Sequence, residues 1–411
     1  MKNFTFLCLS TLCMALLTGC IKDEAANAEC DIVALDEAWK QANAEVLRGY
    51  ERVENNEVTI YVADGTDLSA FNPKFVLTPG ATITMKVDGQ DVAANGVTRD
   101  FNEPQIYTTH SEDGLWHKDY KVGFDYYVSI DRMSFEHYEL DPSGRYQVWY
   151  ERDEVPSKDD PSQVKYIRHD YWANGNGGYA LVGIAKKPED YPTAAHEDGV
   201  NGMCARLETR RTGSFGDMVK MPIAAGNLFI GTFDTKIAMK EPRNATHFGL
   251  PLVQDKPVLL KGYYKYTQGE VFTDKNKKVC PERKDTADIY AVVYECDPQN
   301  FVALNGDEVL SSPRIVMMAR INNPGEPQEW EEFYVPFKSF EGRSIDMDRL
   351  KRGEYAIAVV ATSSRQGAYF EGAIGSVLWV DELRVVWQLD DDADEQRTKM
   401  EQYLETHPDE R

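Results

Sequence analysis

From Val58 the chain alternates. Val58, Ile60 and Val62 are apolar with more polar neighbours between them, and Asp64-Gly65-Thr66-Asp67 then supplies turn residues. Ala81, Ile83, Met85 and Val87 repeat the pattern and end at Asp88-Gly89; Tyr120, Val122, Phe124 and Tyr126 repeat it again. A period of two places every second side chain on one face, the mark of a strand with one buried side. Short runs of this kind, separated by turn residues at roughly 8–12-residue spacing, predict a small β-sandwich. Cys30 to Ala34 reads as its first strand. Residues 37–49 (EAWKQANAEVLRG) have some helical character, but their surroundings argue for strands and loops. Residues 30–130 are the right size for one immunoglobulin-like sandwich.

A second unit opens at Arg132-Met133-Ser134-Phe135-Glu136, spans 131–389, and is richer in strand signals. These fall at 203–207, 228–233, 261–266, 289–294, 314–321, 331–336, 355–362 and 377–387, with Gly and Pro between them. No long 3.6-residue period interrupts the series. The expected fold class is therefore all-β, with an N-terminal immunoglobulin-like sandwich followed by a larger jelly-roll β-sandwich. Residues 390–411 form a charged, acidic tail. Disorder is expected there, with a short exposed helix over 395–406 as the alternative.

The start of the chain sets an address. Lys2 precedes an apolar run from Phe4 to Leu17, shorter than the ~20 residues a spanning helix needs. It has the form of a secretory signal peptide, residues 1–19. Leu17-Thr18-Gly19-Cys20 resembles the lipobox of bacterial lipoproteins, which implies cleavage before Cys20 and acylation of its sulfur. Residues 20–29 then form a tether. Lys22-Asp23-Glu24 resembles the acidic signal that sends lipoproteins of Bacteroidetes to the outer face of the outer membrane. A net charge of −23, from 45 Lys and Arg against 68 Asp and Glu, argues against nucleic acid or an anionic membrane surface as a partner. Contact with the membrane is expected through the lipid anchor alone. Cys30, Cys204, Cys280 and Cys296 follow the anchor without a CxxC or Cys/His metal spacing. A disulfide is feasible outside the cytoplasm, Cys280 with Cys296 being nearest in sequence, and buried free thiols remain the alternative.

Several stretches of the second unit resemble, in order, the putative carbohydrate metabolism domain of Bacteroidetes surface lipoproteins. They include SFEHY (134–138), YWANGNGGYAL (171–181), PIAAGNLFIGTF (222–233), LKGYYKYTQGEVF (260–272), KDTADIYAVVYE (284–295) and GAYFEGAIGSVLWVDEL (367–383). The stretch from Gly80 to Phe124 is similar to the small β-domain that commonly precedes it and acts as a spacer. The order of the second unit is also similar to jelly-roll carbohydrate-binding modules. Those open on a strand carrying Phe-Glu and close on one carrying an Asp near an aromatic, here Glu136 and Asp381. In many such modules the two carboxylates ligate one structural Ca²⁺, so the resemblance implies a calcium site at Glu136 and Asp381.

Sugar recognition pairs a flat aromatic face with short polar groups that read hydroxyls. Aromatics in loop-like stretches are Trp149, Tyr150, Tyr171, Trp172, Tyr369 and Phe370. Asn174 stands beside Trp172, and Arg365 and Gln366 beside Tyr369, in stretches where Gly permits close approach. The carbohydrate-binding candidates are thus Trp149, Tyr171, Trp172, Asn174, Arg365, Gln366 and Tyr369. Trp379 and Trp387 fall in strands and read as core. Tyr263, Tyr264 and Tyr266 divide between both faces of one strand, so at least one faces outward. Cleavage would need two carboxylates about 5–9.5 Å apart, and a chain with 68 acids offers pairs everywhere. His169 with Tyr171, and His247, lack a lyase spacing. No GxSxG, HExxH, Walker or dinucleotide pattern is present.

The expectation is a surface lipoprotein that binds glycan through its jelly roll without cleaving it, alongside other outer-membrane glycan-uptake proteins. A glycan-cleaving enzyme on the same fold, and a structural or adhesive envelope protein, are the alternatives. Cys20→Ala is expected to leave the protein unanchored or unprocessed in a detergent phase separation. Continued partitioning of the variant with membranes contradicts the lipobox reading.

Overall fold

A computed structural model describes residues 26–47, 51–54, 56–62, 66–126, 130, 132–156, 164–253, 255–298 and 300–411. The lipobox, Cys20 and Lys22-Asp23-Glu24 lie outside them. Among the described residues no helix is long and apolar enough to cross a membrane. The chain divides into two compact units, the first mostly before Tyr126 and the second mostly from Tyr126 onward.

In the first unit the alternating runs become strands. A six-stranded sheet has the order Arg52–Glu54, Glu57–Val62, His117–Tyr126, Gln105–His110, Thr82–Val87, Gln90–Ala93. A two-stranded ribbon, Ile32–Leu35 with Phe75–Leu77, stands apart from it. The sandwich is lopsided, and aromatics fill it: Phe75 meets Tyr107 at 5.4 Å and Phe101 meets Phe124 at 4.9 Å. Within residues 37–49, where the surroundings argue for strand and loop, Glu37–Ala42 is a helix. Asp36 caps it by accepting the Trp39 N–H at 3.0 Å, and Trp39 is buried against Phe71. One capped turn and one apolar anchor are too short a signal to outweigh the strands around them.

Among the described residues of the second unit, eight longer strands form the body of two sheets: β1 (Cys204–Glu208), β2 (Asn227–Phe233), β3 (Pro257–Thr267), β4 (Asp288–Glu295), β5 (Ile315–Arg320), β6 (Glu331–Pro336), β7 (Tyr355–Thr362) and β8 (Val377–Trp387). One sheet runs β1-β8-β3-β6 and the other β2-β7-β4-β5, all pairs antiparallel. The chain changes sheet at every step except the β4–β5 hairpin, which is the jelly-roll connection.

Between the sheets lies the main core. Leu260, Tyr264, Tyr266, Leu378 and Val380 meet Ile289, Ala291, Val293, Ile357 and Val359 there. Tyr264 and Tyr266 point inward while Tyr263, half-buried, takes the other face, as the alternation required. Trp387 is buried; Trp379 is half-buried, with the Lys265 ammonium 5.3 Å from its ring centre.

The outer face of β4 is buried as well. Tyr290, Val292 and Tyr294 pack with Phe229, Phe248, Leu304, Val309 and Val360 in a second cluster. Chain segments around 248 and 304–309 thus roof the sheet β2-β7-β4-β5. Cys30, Cys204, Cys280 and Cys296 are all free thiols.

The tail corrects the expectation of disorder. Ala393–Thr406 is a helix docked on the outer face of the other sheet, with Tyr403 6.1 Å from Tyr334 and Met400 packed on Leu259 and Val386. Beyond it Glu410, 3% exposed, accepts the backbone N–H groups of Asn322 and Asn323. Its apolar side is two or three residues wide, which the charged sequence conceals.

Candidate functional site

The roof over β2-β7-β4-β5 stops short of one end of the sheet, and a cavity of about 380 Å³ opens there. Its floor is the outward side of three strands: Asn227 from β2, Asp288 and Tyr290 from β4, Val360 and Thr362 from β7. The register Tyr290↔Val360 and Asp288↔Thr362 sets these side by side. Walls come from residues 175–182, 212–225, 233–248, 306–311 and 364–370.

Charge is concentrated on one side. Asp288, 2% exposed, accepts hydrogen bonds from Nε and Nη2 of Arg320, at 2.8 and 2.6 Å, and stands 3.6 Å from Arg365. This fork geometry is the strong form of a carboxylate–guanidinium contact. Arg365 also donates to the carbonyls of Ile321 and Asn322 at 3.1 Å, and burial holds its guanidinium below the usual range. Its Nε is buried without a hydrogen-bond partner among the described residues. Across the cavity mouth, Arg243 pairs with Asp307 at 3.0 Å and sits 5.0 Å from the centre of the Tyr369 ring. Burial pushes the Tyr290 hydroxyl well above its ordinary range.

The 364–370 wall is held tightly. Gly367 lies so close to Ala225 that an added Cβ would come within 2.4 Å of that side chain. Phe370 adopts φ +60°, a left-handed conformation that favours glycine. Strain of this sort persists only where the surroundings enforce it. Beneath this wall Asp285 accepts from the Ser364 hydroxyl at 2.5 Å, the Ala373 N–H at 2.7 Å and the Ser376 hydroxyl at 2.8 Å.

The residues singled out from sequence separate into groups. Arg365 and Tyr369 line the cavity, and Tyr369 is exposed. Gln366 caps the turn Gly367–Tyr369 and stands outside the lining. Trp149, Tyr171 and Trp172 are 2%, 4% and 9% exposed and belong to the core. A ring that stacks on sugar needs an open face, so the expectation for these three is corrected: their faces are spent on packing. Trp172 donates its indole N–H to Glu151 at 3.1 Å, and Glu151 also holds the backbone N–H groups of Ser134 and Phe135. Asn174 is buried too, its amide bonded to the Gln147 carbonyl and the Asn176 N–H. Sequence reasoning missed Asn227, Asp288, Tyr290, Arg243 and Asp307. The alternation of DIYAVVYE does place Asp288 and Tyr290 on one face, which was a usable signal.

Glu136 and Asp381, 245 positions apart in sequence, meet one loop. Asp381 accepts the backbone N–H groups of Val200 and Asn201, and Glu136 accepts that of Met203. Asp381 is fully buried, and burial raises its carboxyl to about 7. Among the described residues no three His, Cys, Asp or Glu side chains are grouped to hold a metal. A cation here would draw most of its oxygens from the backbone.

A second hollow lies on the outer face of the other sheet, lined by Arg132, Lys261, Tyr263, Glu382 and Arg384 among others. It is larger, about 540 Å³, but open. Its charges are already matched: Arg132 with Glu382, Lys261 with Glu332, Arg384 with Asp392. The roofed cavity is therefore the better candidate.

Residues 134–386 match the family described as Putative carbohydrate metabolism domain, and residues 48–123 match the family described as SGBP, N-terminal. A solved structure from Bacteroides thetaiotaomicron, named a putative glycoside hydrolase, is 39% identical over 90% of this chain and 100% of its own, with a TM-score of 0.57. Another of the same description, from Bacteroides vulgatus, is 34% identical over 62% of this chain and 97% of its own, with a TM-score of 0.54. No curated protein matches the chain.

Asp288→Ala removes the counter-charge of Arg320 and Arg365. Breaking a buried pair costs about 3–5 kcal/mol. Both guanidinium groups are about a quarter exposed, so the expected loss is nearer 2 kcal/mol. Urea unfolding measures it, and Arg320→Met in the same chain is expected to restore part of the loss. Unchanged stability in the single variant contradicts the pair's role.

Proposed function

The chain belongs to the putative carbohydrate metabolism domain family, and from that premise we propose that it is a cell-surface glycan-binding protein whose roofed cavity holds sugar without cleaving it. One observation carries the assignment to this site. The cavity joins an apolar wall to a small set of convergent polar groups, Asn227, Tyr290, Arg365 and Tyr369. That is the composition of a small-molecule site. Arg365 lines the cavity, and its Nε is buried without a hydrogen-bond partner among the described residues, a cost that a polar ligand beside the guanidinium would lessen. The match of residues 48–123 to an SGBP N-terminal domain supports the surface setting. Lipid attachment at Cys20 would tether the protein to the outer membrane, with glycan-uptake proteins as neighbours.

A glycan-cleaving reading has one observation in its favour: Asp288 and Asp307 both line the cavity. The two solved relatives are also named putative glycoside hydrolases. Hydrolysis needs one carboxyl free to give a proton and a second free to face the sugar. Here Arg320 occupies both oxygens of Asp288, and Arg243 pairs with Asp307. Binding is the better fit to that arrangement.

Glycan-affinity electrophoresis with parallel product analysis separates the readings. Retardation without released sugar is expected, and Arg365→Ala and Tyr369→Ala should each weaken binding about tenfold or more. Reducing sugar or an unsaturated product overturns the non-catalytic reading. Binding unchanged in both variants moves the site elsewhere.

The reading includes one structural Ca²⁺ at Glu136 and Asp381, whose buried charge a cation would relieve. Chelation is then expected to lower the melting temperature. No shift, with no metal found by elemental analysis, removes the site.

A further inference from the structure

The cavity is small, partly enclosed and unevenly lined. Its 380 Å³ falls near the lower end of the roughly 300–1,000 Å³ range of ligand pockets. That suits one or two sugar rings. A polysaccharide interior needs a groove open at both ends. The second cluster, with Phe248 and Val309, closes one end of the sheet. Segments 212–221 and 364–370 stand as walls, and Arg243 spans the mouth from Asp307 to Tyr369. A space closed on one side suits a chain end better than a chain middle.

The chemistry of the lining adds a second restriction. Val182, Val219, Met221, Ile223, Phe233 and Met239 offer no hydrogen bond to a hydroxyl. The floor and one wall carry Asn227, Tyr290 and Arg365, while the hydroxyls on the apolar side, Thr212 and Tyr179, are spent on the carbonyls of Met221 and Arg211. The Arg365 Nε is buried without a hydrogen-bond partner among the described residues. An ordinary hexose is hydroxylated all round its ring. Seated here it would bury hydroxyls against aliphatic side chains, where nothing replaces their water. A sugar with a methyl group on one side and hydroxyls on the other would match both linings.

We infer that the cavity binds the terminal unit of a glycan, and that this unit carries an apolar substituent, such as the methyl of a 6-deoxy or N-acetyl sugar. This rests on the glycan-binding reading and deepens it. The methyl-bearing edge faces the Val219–Ile223 wall. The opposite edge, with its hydroxyls, faces Tyr290 and Arg365.

The test is an array of oligosaccharide ends, probed with the full chain. Each end is displayed as its 6-deoxy or N-acetyl form and as its hydroxylated parent, with a third set whose ends are blocked by a bulky cap. Substituted ends are expected to bind at least about fivefold more tightly than their parents, a difference typical of one methyl group in an apolar pocket. Capped chains are expected not to bind. Met221→Gln should bring substituted and parent ends close to parity while parent binding persists. Parents bound as tightly as substituted ends, or capped chains bound as well as free ones, overturn this inference and leave glycan binding standing. Silence across the whole array overturns glycan binding and this inference together.

Discussion

Strand β4 is buried on both faces, and the second unit is arranged around that constraint. Ile289, Ala291 and Val293 fill the space between the sheets, while Tyr290, Val292 and Tyr294 face outward. A sandwich covers the first set by itself. The second set would stand in water unless the chain covered it, which it does with the segments around Phe248, Leu304 and Val309. Burial of that extra apolar layer stabilises the fold and determines where the cover ends. At the margin, the same alternation that sends Val292 outward sends Tyr290 and Asp288 outward too. There Asp288 meets a cavity, and Tyr290, under the edge of the roof, lines it as well. The site is thus a consequence of how far the outer layer extends.

Polar groups near this margin are tied down before any ligand arrives. Arg320 clamps Asp288 in two hydrogen bonds, and Arg365 is fastened to two backbone carbonyls. Asp285 gathers Ser364, Ala373 and Ser376 beneath the wall that carries Arg365 and Tyr369. Burial alone raises the Asp285 carboxyl, and these donors offset that cost. A wall held in this way loses little freedom when it binds, which favours affinity. Tyr369 and Arg243 differ: both are substantially exposed at the mouth, where a ligand could displace their contact.

Much of the fold was legible in the sequence, because period-two alternation is local and strong. All eight strands of the jelly roll fall where apolar positions repeat, and the inward turn of Tyr264 and Tyr266 follows from the same rule. The helix at Glu37–Ala42 and the docked helix at Ala393–Thr406 were obscured, since each rests on very few apolar residues. The site was legible only in part. Arg365 and Tyr369 stood out beside glycines in a loop. Trp149, Tyr171 and Trp172 did so as well, yet they are core, because a loop aromatic and a core aromatic look alike until the loop is seen to fold back. Asp288 and Asn227 were hidden within strands. Nothing local tells a polar residue on a roofed stretch from one at the edge of the roof; that distinction depends on chain segments far away in sequence.

The account turns on where sugar sits. A crystal structure of the full chain with a bound oligosaccharide addresses this directly. The account predicts a terminal sugar ring in the roofed cavity, against Asn227, Tyr290 and Arg365. A glycan bound on the outer face of β1-β8-β3-β6, or on the first unit, with that cavity free of sugar, would contradict it.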